Sequence, residues 1–149
     1  MARVRDTQPK LLILRARRRF NLLAGNPHVD FRPLQQRIVE FRNAGSELNT
    51  AVKRTLAKGP VDARLADRVN RNIMQVESNW ANPDGIPGRP WFKHTLYAAR
   101  YTYGHLELPR LTEAIEKRDF TEAQRQAGIL AGALARNAAL LRETRAMLP

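Results

Sequence analysis

Residues 81–107, ANPDGIPGRPWFKHTLYAARYTYGHLE, interrupt a chain whose other apolar residues recur at helical spacing. This stretch holds three prolines, three glycines and five aromatic residues. Connections longer than about 12–15 residues without structure of their own are uncommon in compact domains. Because disordered segments are also poor in aromatic residues, the composition predicts a long ordered loop that fixes the helices around it.

Two amphipathic helices are predicted before this loop. In the first, Asp30 is a candidate N-cap, and Lys58-Gly59-Pro60 supplies a stop signal. Its apolar residues recur at steps of three and four, with Ala44 and Gly45 between them: Phe31, Leu34, Ile38, Phe41, Leu48, Val52 and Leu56. The second helix is predicted to end at Asn82-Pro83, and its apolar stripe comprises Val61, Leu65, Val69, Ile73, Val76 and Trp80.

Two further helices are predicted after the loop. Pro109 begins a short helix that ends near Arg118-Asp119. A long alanine-rich helix follows from about Glu122 to Met147, and Thr121 with Gln124 has the spacing of a capping box. One stripe of this helix is apolar: Ala127, Leu130, Leu134, Leu141 and Leu148. A second stripe consists of small residues that let another helix approach closely: Gly128, Ala131, Gly132 and Ala135.

The predicted fold class is therefore all-α. No segment alternates with period two for long enough to indicate a strand. We expect a four-helix up-and-down antiparallel bundle, with the long ordered loop between helices 2 and 3.

Charge divides the chain into two parts. The 149 residues carry a net charge of +12, and half of this excess lies in residues 1–26, which hold seven basic residues and one acidic residue. Gly25-Asn26-Pro27 breaks any helix there, so we divide the chain into a basic head, residues 1–28, and a helical domain, residues 29–149. We expect the head to be poorly ordered or loosely packed. A targeting peptide, an RNA-binding arm and an anionic-membrane anchor are the alternatives for it.

Neither a signal peptide nor a transmembrane helix is predicted, so we expect a soluble chain. The apolar run at residues 11–14 is far shorter than the roughly 20 residues that span a membrane. In a signal peptide the basic residues precede the apolar run, whereas here the arginines at 15–19 follow it.

Residues that could carry catalysis are scarce. The chain has no cysteine and three widely separated histidines, His28, His94 and His105, which argues against disulfides, thiolate metal sites and cysteine nucleophiles. The glycine patterns that bind phosphates and the HExxH and GxSxG motifs are absent. Glu113 and Glu116 adjoin basic residues and are predicted to lie on a solvated helix face. We therefore expect no enzymatic activity, no metal and no cofactor.

A family resemblance lies in the long loop. Residues 82–98, NPDGIPGRPWFKHTLYA, resemble the central segment of the transferrin-receptor-like dimerisation domain. This domain is the C-terminal helical part of the glutamate carboxypeptidase II and transferrin receptor family. The likeness continues through three short segments and into the terminal helix: Tyr103-Gly104, Leu108-Pro109 and Glu113-Ala114-Ile115. It covers roughly residues 29–149 and implies a four-helix bundle whose role is homodimerisation.

The resemblance also bears on catalysis. In full-length relatives a zinc peptidase domain and an apical domain precede the bundle, and their metal ligands and catalytic glutamate have no counterpart in this sequence. The family's loop contributes a Lys-Tyr pair that holds the substrate's C-terminal glutamate. Tyr103 lies at or near the tyrosine position and is a candidate remnant of this substrate contact, whereas Thr102 stands where the lysine would be. We therefore expect no small-molecule substrate.

Our leading hypothesis is a non-catalytic interaction module that forms a homodimer. We predict a two-fold interface built from the last helix and parts of the loop, with five interface residues on that helix: Leu130, Ala131, Leu134, Ala138 and Leu141. Five loop residues are predicted to be structural: Arg89, Trp91, Phe92, His94 and Tyr97. We expect their rings to be buried, and Arg89 and His94 to bond loop carbonyls or a helix end.

Two other functions stay open at this point. The chain could be a C-terminal fragment or split partner of a zinc-dependent carboxypeptidase or aminopeptidase, assembling with a peptidase domain on a separate chain. Alternatively, it could bind nucleic acid or an anionic membrane through residues 1–26. The mildly basic body argues against a nucleic-acid partner.

Overall fold

The computed structural model describes residues 18–99 and 105–149. These residues form five helices and two strands: α1 (described over residues 18–23), α2 (Arg32–Ala57), α3 (Ala63–Ser78), β1 (Tyr97–Ala99), β2 (His105–Glu107), α4 (Pro109–Glu116) and α5 (Phe120–Ala146). The protein is mostly helical, as predicted, while the four-helix antiparallel arrangement stays a prediction. The described chain divides into two compact units: residues 35–79 with 132–149, and residues 18–34 with 80–131.

Aspartates lie at the starts of three helices. Asp30 Oδ1 accepts a hydrogen bond from the Arg32 amide at 3.0 Å, and Asp62, the N-cap of α3, accepts one through Oδ1 from the Leu65 amide at 3.0 Å. The sequence predicts Asp30 as the N-cap of α2, but α2 begins two residues later, at Arg32, and α3 begins after Val61. The cap of α5 is Asp119, whose Oδ1 accepts from the Glu122 amide at 2.9 Å. The predicted capping box of Thr121 and Gln124 is therefore wrong, because both residues already lie inside the helix.

The first unit is built on the apolar stripes of α2, α3 and the second part of α5. Its buried cluster consists of Ala44, Leu48, Ala51, Val69, Ala138, Leu141 and Leu148. Partly buried side chains pack against this cluster: Phe41, Val52, Leu65, Ile73 and Val76. The helical periodicity of the sequence thus identified most of this core. Leu56, which the periodicity also assigned to the core, lies instead at the end of α2 with 45% of its surface exposed.

Buried polar side chains join α3 to α5 within this unit. Asn137, which has no exposed surface, accepts a hydrogen bond from Asn79 Nδ2 at 2.8 Å and donates one to the Val76 carbonyl at 3.2 Å. Thr144 is equally buried and accepts from Asn72 Nδ2 at 3.0 Å. The two pairs are seven residues apart on each helix, so a shifted helix would leave buried polar groups without partners. They therefore fix the register of α3 against α5.

Replacement of Asn137 by leucine is expected to lower the free energy of unfolding by about 2 kcal/mol. The new side chain fills a similar volume, but the partly buried Asn79 amide and Val76 carbonyl each lose their hydrogen bond to Asn137. Urea denaturation followed by circular dichroism measures this loss. Gln75→Leu is the control, because Gln75 donates to Asn79 in an exposed position and its replacement should change stability by about 0.5 kcal/mol or less. Equal losses in the two variants would contradict the proposed register role.

The second unit contains residues that the sequence analysis assigned to a loosely packed head. Phe20 and Leu23 of α1 are buried, as is Val29. The rings of Phe20 and Phe31 meet edge to face with centroids 5.5 Å apart. The expectation of loose packing is therefore wrong for residues 18–28, because Phe20 and Leu23 are three residues apart and share one side of a helix. Residues 1–17 lie outside the described part of the chain.

The same unit contains a small antiparallel sheet. Strand β1 pairs with β2 in the register Tyr97 to Glu107 and Ala98 to Leu106. The sequence analysis expected no strand and was wrong here. Each strand has three residues, which is too short for alternation of apolar and polar residues to be recognised.

Candidate functional site

Residues 82–94, which we term the signature loop, fold back on themselves through backbone hydrogen bonds. The Ile86 amide donates to the Phe92 carbonyl at 2.9 Å, and the Arg89 amide returns a bond to the Ile86 carbonyl at 2.7 Å. At the base of the loop the Asn82 amide donates to the Lys93 carbonyl at 2.9 Å. Ile86 is almost completely buried. These bonds give this part of the long loop a defined backbone path.

An ion pair ties the signature loop to α4. Arg89 Nη2 donates to Glu113 Oε1, and both side chains are about four-fifths buried. This pair supports the structural role that the sequence predicts for Arg89, which stays a prediction, and the bond goes to a carboxylate rather than to a carbonyl. The expectation that Glu113 lies on a solvated face is wrong. Glu116, which is more exposed, contacts Arg19 Nη2 at 3.4 Å, so two arginines distant in sequence bind neighbouring glutamates of α4.

Not all of the loop's rings that the sequence predicts to be buried are buried. The His94 and Tyr97 rings lie 4.1 Å apart, and His94 Nδ1 accepts a hydrogen bond from the Leu96 amide at 3.2 Å. Phe92, His94 and Tyr97 are half-buried. Trp91, however, has 73% of its surface exposed, so the prediction that it is a buried anchor is wrong.

Other side chains hold the loop to the rest of its unit. Trp80 and Leu96 are buried together with Ile86, and the Trp80 carbonyl accepts hydrogen bonds from the Thr95 amide at 2.9 Å and hydroxyl at 2.7 Å. Sequence reasoning placed Trp80 on the stripe of the second helix. It missed this role because α3 ends at Ser78 and the chain direction changes before Trp80.

Charged groups elsewhere in this unit are held in their ionised forms. The Arg32 side chain and amide bond the Asp30 carboxylate and lower its pKa to about 2. The Arg125 guanidinium likewise lowers the pKa of Glu122. The Asp30 backbone is bridged by Gln124, which accepts from its amide at 2.8 Å and donates to its carbonyl at 3.3 Å. These contacts stabilise helix starts, which is a structural role.

The predicted dimer-interface residues of α5 lie mainly inside the chain. Four of them are buried: Leu130, Leu134, Ala138 and Leu141. Ala131 is only partly buried. Their assignment to an interface stays a prediction, since their burial is burial within a single chain.

The outward side of α5 is lined by small residues. Gly128 and Ala139 are exposed, while Ala131, Gly132 and Ala135 are half-exposed. Among the described residues, no atom outside the helix backbone and its immediate neighbours lies within 4 Å of a Cβ built on Gly128, and a Cβ on Gly132 would meet Nη1 of Arg136 at 3.5 Å. At these two glycines, therefore, no other element of the described chain covers α5.

Signs of metal binding and membrane insertion were sought over residues 18–99 and 105–149. No group of three or more histidine, aspartate and glutamate side chains in these ranges could hold a metal ion. No helix within them combines the length and apolar character needed to cross a membrane. Tyr103, the candidate remnant of a substrate contact, falls between the two ranges and so outside the described residues.

Comparison with known sequences gives one family. A search of curated proteins finds no significant match. The family model described as the transferrin receptor-like dimerisation domain matches residues 29–142, which is most of the chain. This match confirms the resemblance predicted from residues 82–98, supports a dimerisation role in general and points to a non-catalytic one. The chain therefore belongs to the transferrin receptor-like dimerisation domain family.

Proposed function

We propose that this protein is a non-catalytic module that forms a homodimer, with the outward side of α5 at the centre of the two-fold interface. The observation that carries the proposal is the exposed row of small residues on this helix, in a chain of a dimerisation-domain family. The leucines on the opposite side of α5 are already buried in the chain's own cores. They support the interface from within, and Ala131 borders it.

The composition of this face favours contact with another helix over contact with water. A solvated helix face usually carries charged or long polar side chains, whereas the middle of this one carries Gly128, Gly132, Ala135 and Ala139. These residues recur at steps of four, three and four, so they form a single row along α5. Glycine within a helix costs about 1 kcal/mol relative to alanine. Two glycines on an exposed face are thus unfavourable for the lone helix and suit close approach of a second one.

A single charged substitution tests this interface. Ala135→Arg is expected to convert the dimer to a monomer, because a bulky cation would meet its symmetry mate near the two-fold axis. Since Ala135 is half-exposed, the fold of the single chain should tolerate the change. Sedimentation equilibrium at tens of micromolar measures the molar mass, and circular dichroism checks the fold. Gln36→Arg, on the exposed side of α2, is the matched control and should leave the dimer intact.

Gly128→Ala separates the contribution of the interface from that of the helix. In an isolated chain this change should stabilise α5 by about 1 kcal/mol, because nothing near the new methyl group obstructs it. At a close helix contact the same methyl group should weaken the dimer. A parent protein that is monomeric at tens of micromolar, or a dimer unaffected by both α5 variants, would contradict the proposal.

An assembly with a peptidase domain on a separate chain is the second candidate. Trp91 favours it, because a tryptophan with 73% of its surface exposed is the residue type most enriched at the centres of protein interfaces. The two candidates differ in stoichiometry. A homodimer has twice the mass of the chain in pure solution, whereas a split partner gains mass only when a peptidase chain is added.

A further inference from the structure

Arg110 is a buried cation for which the described residues provide no hydrogen-bond acceptor. It lies in the first turn of α4 with 4% of its surface exposed. Within the described part of the chain, Nε, Nη1 and Nη2 all lack a hydrogen-bond partner. A buried charge without hydrogen bonds is strongly unfavourable, and arginine does not escape this cost by losing its proton. The guanidinium therefore needs an acceptor from outside the described chain.

Neighbouring carboxylates do not meet this need. Burial lowers the pKa of Arg110, and the charges of Asp84 and Glu122 act in the opposite direction without forming a hydrogen bond to it. The Glu122 oxygens are already engaged by Arg125, at 2.7 and 2.8 Å, and by Gln126, at 2.6 Å. Asp84 and Glu122 thus reduce the local positive potential but leave the donors of Arg110 unused.

The helix end that carries Arg110 adds further donors. The N-cap of α4 is Leu108, which has φ of 47° and offers no side-chain hydrogen bond, and the first turn contains no acidic residue. Amide groups in the first turn of a helix have no acceptor within the helix, and the helix dipole places partial positive charge at this end. Backbone and side chain of the same turn therefore both favour an anion.

A small cavity lies beside this turn. It is lined by Thr95, Leu108, Arg110, Leu111, Gln126, Ile129 and Leu130. Its volume is about 10 Å³, which is space for one water-sized group. A whole phosphate or sulfate ion exceeds this size, whereas a single negatively charged atom does not.

We infer that the cavity beside Arg110 is an anion site that takes one chloride ion or one carboxylate oxygen. The guanidinium and the first-turn amides of Arg110 and Leu111 supply the donors, since Pro109 has no N–H group. Leucine and isoleucine side chains form much of the rest of the cavity wall. The carboxylate could belong to a free small acid or to a second copy of this chain. The experiments below distinguish these sources. The inference does not depend on the proposed dimer, because every lining residue belongs to one chain.

Anion-dependent stability provides the main test. The thermal midpoint is measured while chloride or formate replaces methanesulfonate, whose tetrahedral head group is bulkier than chloride or a planar carboxylate, at constant ionic strength. For the parent protein we expect a saturable rise of several degrees with either small anion. Arg110→Met should abolish the rise, since it keeps an unbranched apolar chain and removes the guanidinium group with its charge. Arg118→Met, in the exposed turn that follows α4, should retain it.

A second measurement requires no variant. Chloride-35 magnetic resonance of the parent protein should show line broadening that formate competes away. If chloride is inert but formate acts, the site takes a carboxylate. In that case a weaker dimer in Arg110→Met indicates a carboxylate from the second copy, and an unchanged association state indicates a free acid. The proposal is overturned if neither anion shifts the midpoint and no broadening occurs, or if Arg110→Met keeps the parent's response to both anions.

Discussion

Replacement of Gly85 by alanine is expected to unfold the signature loop and to lower the free energy of unfolding by about 3 kcal/mol or more. Gly85 has φ of +62°, and a Cβ there would overlap the backbone carbonyl group of Pro90. The left-handed conformation alone costs a non-glycine residue about 1–2 kcal/mol, and an overlap with backbone adds about 1–3 kcal/mol. The overlap cannot be relieved locally, because the Pro90 segment is bound by the Ile86–Phe92 and Ile86–Arg89 hydrogen bonds.

Gly88 provides the matched control in the same loop. It also has a positive φ, of +79°, but a Cβ there would meet nothing within 4 Å. Gly88→Ala should therefore cost only about 1–2 kcal/mol, from backbone strain alone. Thermal and urea denaturation of both variants measure the difference. If the two substitutions lower the free energy of unfolding equally, the close approach of Gly85 to Pro90 does not stabilise the loop.

The second large effect concerns the two tryptophans. Trp80→Ala is expected to lower the free energy of unfolding by about 3–5 kcal/mol, which is the usual loss for a large buried aromatic residue, because Trp80 has 3% of its surface exposed. Trp91→Ala should change it by about 0.5 kcal/mol or less, because 73% of Trp91 faces outward. Each variant keeps one tryptophan, so urea denaturation can be followed by fluorescence in both, with circular dichroism as the common reference.

The small effect expected for Trp91→Ala is opposite to the prediction from sequence alone, where Trp91 was a buried anchor of the loop. A large loss of stability in Trp91→Ala would restore the sequence-based interpretation and contradict the exposure of this ring. A Trp91→Ala protein that folds normally but loses a partner would instead support an interaction role for the exposed ring.

Local patterns in the sequence were sufficient for helices α2 to α5 and for the family, whereas α1 was not predicted. The start of α2 just after Asp30, the start of α4 at Pro109 and the apolar stripes that form the core of α2, α3 and α5 follow from turn-forming and capping residues and from helical periodicity. The segment at residues 82–98 identified the family, because its glycines, prolines and Arg89 form a specific combination over a short length. These features depend on residues that are close together in the chain, so they can be recognised from the sequence alone.

Contacts between distant residues were decided only by the tertiary structure. Arg89 pairs with Glu113, which lies 24 residues later in the chain, and Asn137 bonds Asn79, which lies 58 residues earlier. No local sequence pattern indicates which partner such a polar side chain contacts. Trp80 and Trp91 have the same chemistry, so their opposite burial follows from where α3 ends and how the signature loop turns. The sequence by itself therefore determined helices α2 to α5 and the family, through local propensity. Tertiary packing decided which face of each element is covered, because burial depends on the positions of all the other elements at once.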